Sequence, residues 1–328
     1  MSYPSGIGAQ LVMGVETTYG TRATSLDRVL EFVSESLRMT IRPVESKALQ
    51  AGKRSLRSDR WALGQRDVSG TIVHELQSKG LGVLFEHMLG DIATSQPNAG
   101  EHPTVFEHKA IQADPAGLAM SIQVGRPDID GTCNPFDYYG AKIASWRISG
   151  KVGEVGLLEI TWNAQDEDTE QDLEADPTYL TTELLIASGA GVTIASVDYP
   201  VESFAVQYDC GLNTNRYVVG TNLKREPIAD KPAVITLQLD GEYLSNTAYA
   251  RLASGSMAAV ALNFEGSVIS GTYKNAVELT FPKCRTDGDT PVVGGSGVLP
   301  LSLKMSALDD GTATAPIQIL YRTTDSTP

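Results

Sequence analysis

A strand–turn–helix pattern occurs twice in this sequence, and it constrains the fold more than any other feature. Residues Asp67–Leu76 alternate with the period of two that is typical of a half-buried strand. A short turn follows, and apolar residues at helical spacing then end at Gly90. The same order returns at Pro232–Gly255, about half of the chain length further on. A unit that recurs in this way indicates a tandem duplication, so we expect two similar domains.

The length of the chain agrees with a division into two. With 328 residues, it can form about two domains and bury a substantial core. We predict an N-terminal arm at residues 1–29, a first domain at 30–186 and a second domain at 187–328. Strand patterns dominate both halves, so the predicted fold is mainly β. We expect two tandem β-sandwich or partly closed barrel domains, each with a flanking α-helix.

Each half also contains a predicted hairpin. AKIASWRISG and LLEITWN form the first, Ala141–Asn163, and NAVELTFP and VLPLSLKMSA form the second, Asn275–Ala307, around the Gly-rich loop 283–297. Residues 91–117 are predicted to be irregular and have no counterpart in the second half. Because alternating residues make one polar side on such a hairpin, that side must face solvent or a cavity.

Charge is distributed unevenly along the chain. The formal net charge of −14 argues against tight general binding to DNA, but it is compatible with a surface over which DNA slides without sticking. The long connection 45–66 is the one basic island, with Lys47, Lys53, Arg54, Arg57, Arg60 and Arg66. The segment 165–176 is acidic and includes Asp166, Glu167, Asp168, Glu170 and Asp172. Each segment is either a solvated loop or a surface for interaction.

The cysteines and the N-terminus indicate the compartment. The three cysteines show neither metal-binding spacing nor a disulfide framework, which favours reduced thiols in a cytosol-like environment. The first ten residues lack the basic and apolar regions of a signal peptide, and no apolar run approaches the length of a membrane span. We therefore expect a soluble protein that does not use the secretory route and has no membrane partner.

A search for catalytic patterns favours a structural or binding role. His102 and His108 lie in a Pro/Gly-rich loop without metal-ligand spacing, and the acidic turn Asp128–Gly131 lacks the remaining positions of a calcium loop. No phosphate-binding loop, dinucleotide-binding motif or nucleophile elbow occurs in a suitable context. The prediction is therefore a protein without catalytic, cofactor-binding or metal-binding residues.

The chain resembles the tail tube proteins, also called major tail proteins, of bacteriophages with long non-contractile tails. The resemblance rests on Gly6–Gln10, Glu16–Thr21 (ETTYGT) and Leu30–Leu37 (LEFVSESL), and on the position of the Arg66–Gly90 strand–helix unit. It implies rings that join edge to edge in a continuous β-barrel and stack into a tube. Proteins with two tube domains form trimeric, pseudo-sixfold rings, and hexameric rings are the alternative.

The same resemblance implies a set of partners. Besides other copies of the chain, they are the tape-measure protein, the tail terminator and tail-tip proteins, and the DNA that passes through without sequence-specific binding. The protein is then part of the virion and assembles in the cytoplasm of the host bacterium.

Two sets of site residues follow as hypotheses. The two hairpins are expected to line the bore with Lys142, Ser145, Arg147, Glu159, Thr161, Glu278, Thr280, Ser302 and Lys304. A net acidic bore would repel DNA phosphates and keep DNA moving. The basic loop and the acidic segment are expected to meet across neighbouring subunits or rings, where opposite charges set register more than affinity. The alternative is that the two segments are solvated separately.

Two other functions are compatible with parts of this pattern. A distal tail or baseplate hub protein with related domains would form a single ring rather than a polymer. A depolymerase would need paired carboxylates on a concave aromatic surface, for which the chain offers three tryptophans and 7% aromatic residues.

Overall fold

A computed structural model describes residues 6–175, 177–243, 245–288, 290, 292–293, 296–312 and 315–328. Residues 1–5 of the predicted arm and Asp176 of the acidic segment lie outside the described residues. The same holds for four residues of the Gly-rich loop, Asp289, Pro291, Gly294 and Gly295.

The first half of the chain contains eleven strands and one helix among its described residues. These are β1 (Gln10–Val15), β2 (Arg28–Val29), β3 (Ser34–Glu35), β4 (Arg38–Glu45), β5 (Trp61–Glu75), α1 (Gly82–Leu89), β6 (Gly90–Ser95), β7 (Phe106–Gln112), β8 (Met120–Pro127), β9 (Cys133–Lys151), β10 (Leu157–Ala164) and β11 (Asp166–Asp168).

The second half also consists mainly of strands, with one α-helix. Its elements are β12 (Ala190–Ile194), β13 (Val197–Asp198), β14 (Ser203–Asp209), β15 (Leu212–Asn213), β16 (Ile228–Ala229), β17 (Val234–Glu242), α2 (Thr247–Ser254), β18 (Ala258–Ser270), β19 (Tyr273–Asp287), β20 (Pro300–Ala307) and β21 (Gln318–Thr323). The mainly β fold with a helix in each half is confirmed. Both predicted strand–helix units are present, as β5–α1 and β17–α2.

Glycine ends both helices. Gly90 follows α1 with φ 107°, and Gly255 follows α2 with φ 68°. Residues with a side chain rarely adopt these angles, so glycine is suited to the position after a helix. At Gly90 the space is also closed, because an added Cβ would lie 2.6 Å from the carbonyl oxygen of Ala113.

One antiparallel sheet runs through both halves. Its order is β4–β5–β10–β9–β14–β17–β20, and we call it the joined sheet. The junction between the halves is the pairing of β9 with β14 over seven residue pairs, from Lys151 with Ser203 to Ser145 with Asp209. Trp146 and Tyr208 stack on each other at this junction, with ring centroids 5.3 Å apart and planes 4° from parallel. Both belong to a single buried core that includes residues of the two halves.

The two halves repeat one pairing order. In the first, β5 pairs with β10 and β10 with β9, while β9 continues into a second layer with β8 and β1. In the second, β17 pairs with β20 and β20 with β19, while β19 continues into a second layer with β18 and β12. This recurrence agrees with a duplication; the predicted domain boundaries remain a prediction.

Two segments that we expected to be irregular contain strands. Within the predicted arm, β1 pairs with β8 along its whole length, and Leu11, Val12 and Met13 are fully buried. Within 91–117, β6 and β7 form an antiparallel pair. Alternation is absent from β1 because both of its faces are covered, so a search for a period of two does not detect it.

The second hairpin differs from the prediction in its partners. β19 pairs over most of its length with β18, through a turn at Gly271, and with β20 only at Cys284–Asp287. β20 pairs along its whole length with β17. The period of two identifies a strand, but it carries no information about which strand lies beside it.

The last strand connects the two halves. β21 lies between β19 of the second half and β7 of the first, with antiparallel pairing on both sides. Tyr321 on β21 is fully buried, packs edge-on against Phe85 of α1 at 5.3 Å, and donates a hydrogen bond to the carbonyl oxygen of Gln77 at 3.1 Å. The final strand, which the sequence left open to either sheet, therefore belongs to both halves.

Acid is expected to destabilise the fold through His74. Burial lowers the pKa of His74 to about 4, and no described residue is hydrogen-bonded to its Nε2. Because the ring is neutral in the folded state and titrates near 6.5 in the unfolded chain, its contribution to stability is complete above pH 6.5 and is lost as pH falls to 4. The expected loss is about 3 kcal/mol.

Urea unfolding between pH 7.5 and 4 measures this effect. His74→Gln should flatten the pH dependence, whereas the control His102→Gln should leave it unchanged. An equally steep dependence in both variants would contradict the assignment.

Candidate functional site

The joined sheet has one buried side and one accessible side, and we call the accessible side the open face. Trp146 and Ile148 of β9, Val206 of β14 and Leu237 of β17 are buried in the core. The residues between them point the other way, because successive side chains of a strand lie on opposite sides. On the open face lie Ser145, Arg147, Glu159, Thr161, Gln207, Thr236, Gln238, Ser302, Lys304 and Ser306.

The strand registers align these polar residues in rows across the halves. Arg147 lies opposite Glu159 on one side and Gln207 on the other. Gln207 lies opposite Thr236, and the neighbouring Gln238 lies opposite Lys304. The open face is therefore a continuous surface of hydroxyl, amide and charged groups.

Two arginines on this side of the joined sheet, Arg147 and Arg285, lie beside carboxylates. Arg147 is 3.7 Å from Glu159, and Arg285 at the end of β19 is 2.7 Å from Asp287. The hydrogen bond from Arg285 lowers the pKa of Asp287. At these two positions a polyanion would meet cations that already have a partner, which weakens its attraction.

Six of the nine predicted bore residues lie together on the open face: Ser145, Arg147, Glu159, Thr161, Ser302 and Lys304. The structure does not bring Glu278 and Thr280 to them, since that part of β19 pairs with β18 and β21 instead of β20. Glu278 forms an ion pair at 3.3 Å with Arg322. That any of these residues lines a bore remains a prediction.

Lys142 differs from the other predicted bore residues because it is buried. Its side chain is 2% exposed, and its Nζ donates to the carbonyl oxygen of Pro115 at 2.7 Å and to Glu226 at 2.6 Å. Glu226 belongs to the connection between β14 and β17, which lies against the first half. The sequence pattern of β9 does not predict that Lys142 is buried, because the residues that bury it are far away in the chain.

Sequence reasoning missed Gln207, Thr236 and Gln238. The signal was present, since Val234–Glu242 alternates between exposed and buried residues along β17. This alternation predicts a strand, but it does not by itself assign the polar side of the strand to the same surface as the hairpins.

The basic island is the tip of an extended hairpin. β4 and β5 pair from Arg38 with Ser69 out to Glu45 with Trp61, so part of the predicted polar connection is strand, and residues 46–60 form the loop beyond it. Lys47, Lys53, Arg54 and Arg60 are exposed, and Arg57 binds Asp59 at 2.6 Å within the loop.

The arms of this hairpin carry exposed apolar side chains. Val44 is 62% exposed, Trp61 52% and Leu63 64%. A two-stranded ribbon is only marginally stable by itself in water. These apolar residues are therefore suited to contact with another molecule.

The acidic segment meets the base of the basic island inside the chain. Asp166 accepts two hydrogen bonds from Arg66, at 2.7 and 2.8 Å, and Asp168 accepts one from Tyr139 at 2.7 Å. Asp166, Glu167 and Asp168 form β11 beside β9, whereas Glu170 and Asp172 are exposed. The exposed cations of the tip and these two carboxylates remain available for contacts outside the chain.

The buried carboxylate of Glu16 has a structural environment. It accepts hydrogen bonds at 2.8 Å from Ser121 Oγ and from the backbone N–H groups of Gly20 and Gly140. Burial raises its pKa. These contacts hold the turn after β1 against β8 and β9.

Two further searches concern metals and membranes. Within the described residues, no three His, Cys, Asp or Glu side chains come together in a way that would hold a metal ion. No helix in the described part of the chain has the length and apolar character needed to cross a membrane.

Antiparallel sheets with a polar open face and a projecting hairpin define a protein of the mainly β class. A family model described as phage tail tube protein matches residues 6–307, and the chain belongs to this family. A search of the curated proteins finds no match. The protein is therefore a structural component of the phage tail, and so of the virion, in a family that assembles into a tube with other tail proteins.

Proposed function

We propose that this chain is the non-catalytic subunit of a tail tube through which phage DNA passes into the host. Three copies form a ring of six tube domains, and the rings stack. The observation that carries the proposal is the β9–β14 junction, which makes one sheet with one open face from the two halves. Repeating that junction between chains closes the sheet into a ring, and ring closure removes its exposed edges.

Imaging tests the assembly directly. Concentrated protein should form tubes in negative stain, with threefold or pseudo-sixfold symmetry in end-on views. Single rings that do not polymerise would indicate the hub alternative, and true sixfold rings of six chains would indicate the hexameric one. A compact monomer at high concentration would contradict the proposal.

In the proposed tube the open face lines the bore. Its hydroxyl and amide groups and its paired arginines support this orientation, because DNA would pass over them without strong attraction. The tape-measure protein fills the same space before ejection, and terminator and tip proteins close the ends. Assembly takes place in the cytoplasm of the host bacterium.

Labelling of single cysteines tests the orientation. Ser145→Cys and Ser302→Cys should react with a bulky maleimide in the dissociated protein and be protected at least tenfold in tubes, because the bore excludes the reagent. Thr280→Cys, on β19 beside β21, serves as a comparison that should stay reactive. Each variant is made in a Cys133→Ser, Cys210→Ser background, so that the introduced thiol and the buried Cys284 are the cysteines that remain. Equal reactivity at all three positions in tubes would contradict the assignment of the bore.

We assign the contact between stacked rings to the tip of the β4–β5 hairpin. Charge reversal at Arg54, Arg57 and Arg60 should reduce the rate of tube growth about tenfold and leave the melting temperature unchanged. Arg57 and Arg60 contact residues of their own loop, and Arg54 is exposed. Reversal of Glu170 and Asp172 together with the arginines should restore growth. Normal tubes from the arginine variant would show that the two segments are solvated separately.

A further inference from the structure

The two halves carry equivalent grooves, and within the described residues only one of these is covered by a turn. The equivalence is set by hydrogen bonds: Leu30 N donates to Leu11 O at 3.3 Å in the first half, and Tyr199 N to Val192 O at 2.8 Å in the second. Strand pairing agrees, since Ser34 lies opposite Val73 and Ser203 opposite Asp240. Residues 30–35 therefore correspond to residues 199–204.

In the second half, the turn between β9 and β10 covers the groove. Lys151 pairs with Ser203, and Val152 N donates to the carbonyl oxygen of Glu202 at 3.0 Å. The remaining cavity has a volume of 530 Å³ and is lined in part by Tyr199, Val201 and Phe204. The covering turn comes from the other half of the same chain.

In the first half, no turn among the described residues covers the equivalent groove, which we call the open groove. Its volume is 940 Å³, and Leu30, Phe32, Val33 and Ser34 line it at the positions equivalent to those of the covered groove. Val33 is 58% exposed. Of the strands in the described residues, only β5 pairs with β3, so the outer edge of β3 is available.

The counterpart of the covering turn is the loop between β19 and β20. Ala141 of β9 and Cys284 of β19 hold equivalent positions, opposite the first residues of β8 and β18. Three described residues of the loop are apolar and exposed, Val292 at 76%, Val293 at 76% and Val298 at 71%. An apolar loop of this kind suits a groove lined by Leu30, Phe32 and Val33.

The loop and the groove of one chain lie at opposite edges of the joined sheet. Between β3 and β20 the joined sheet has six strand-to-strand steps, which amounts to about 29 Å. We propose that the Val292–Val293 loop of a second copy docks in the open groove beside β3, as the β9–β10 turn docks within the chain. This inference rests on the proposed tube function and names the residues of its chain-to-chain contact.

Cross-linking of two introduced cysteines tests the contact. Val33→Cys with Val292→Cys, in a Cys133→Ser background, should give covalent species in tubes that stop at the number of chains in one ring, three in the proposed arrangement. The matched control replaces Val268, which is 57% exposed on β18, and should give at least tenfold less product with Val292→Cys. A ladder that continues beyond one ring would place the contact between rings and overturn the proposal.

A blocking substitution gives a second measurement. Val33→Arg should raise the protein concentration needed for assembly at least tenfold, whereas Val268→Arg should change it less than twofold, with unchanged melting temperatures for both. Tubes that form normally from Val33→Arg, without the specific cross-link, would overturn the groove contact and leave the tube function standing. Failure of the unmodified protein to form tubes would instead contradict the proposed function.

Discussion

Replacing Tyr321 with alanine is expected to lower the free energy of unfolding by about 3–5 kcal/mol. The ring is fully buried and packs against Phe85 of α1 at 5.3 Å and near His108 of β7 at 6.2 Å. Its strand pairs with both halves. Removing the ring therefore leaves a cavity where the last strand joins the two halves, and the structure around it can relax only partially.

Urea unfolding followed by tryptophan fluorescence measures this loss. Tyr321→Phe keeps the ring and removes the hydroxyl that donates to Gln77, so it should cost about 1–2 kcal/mol. Tyr179→Ala is the matched control on the surface, because that tyrosine is 44% exposed, and it should have little effect. A loss for Tyr321→Ala no larger than that for Tyr321→Phe would contradict the role of the ring.

Removing Glu226 is expected to have an effect of similar size. Its carboxylate lies 2.6 Å from the Nζ of Lys142, which is 2% exposed, and it also accepts a hydrogen bond from Gly117 N at 2.7 Å. In Glu226→Ala the lysine stays buried without its counter-charge, which costs about 3–5 kcal/mol. The connection between β14 and β17 should then loosen from the first half.

A double variant separates the charge from the packing. Lys142→Met with Glu226→Ala removes the unpaired cation as well, so it should recover at least half of the stability lost in Glu226→Ala. If the losses in unfolding free energy from the two substitutions simply add, then the ion pair does not hold the β14–β17 connection against the first half. Glu154→Ala is the control, since Glu154 is exposed and pairs with Lys151 at 3.1 Å on the surface.

The same carboxylate has a defined pH dependence. Burial raises the pKa of Glu226, but the hydrogen bonds from Lys142 and Gly117 outweigh burial. The pKa in the folded state is therefore below its usual value of 4.5. Its contribution to stability is therefore present above pH 4.5 and is lost as pH falls through the lower value of the folded state. The difference in stability between the unmodified protein and Glu226→Ala should shrink below pH 4.5.

Local patterns were sufficient for the elements that depend on local interactions. The alternation in β5 and β17 and the glycines after α1 and α2 predicted both strand–helix units, because side-chain direction and helix termination are set within a few residues. The polar rows on β9, β10 and β20 were predicted for the same reason. The period of two assigns each residue to a side of its strand before any partner is known.

Several features depend on residues that are distant in the sequence. β19 pairs mainly with β18 and only at its end with β20, and β1 is buried although it was expected within an arm. Lys142 is covered by a connection from the other half. A strand pattern is compatible with many partners, and the choice among them is made by the packing of the whole core.

The sequence by itself determined that this protein is a duplicated, mainly β chain with polar-sided strands, and its resemblance pointed to the family that the family model confirms. Only the tertiary structure decided that β9 and β14 join the two halves into one sheet, and that a turn covers one groove while no described turn covers its equivalent. The reason is physical. Side-chain periodicity is a property of a single strand, whereas a sheet edge is defined by the strand that lies beside it, or by the absence of one among the residues described.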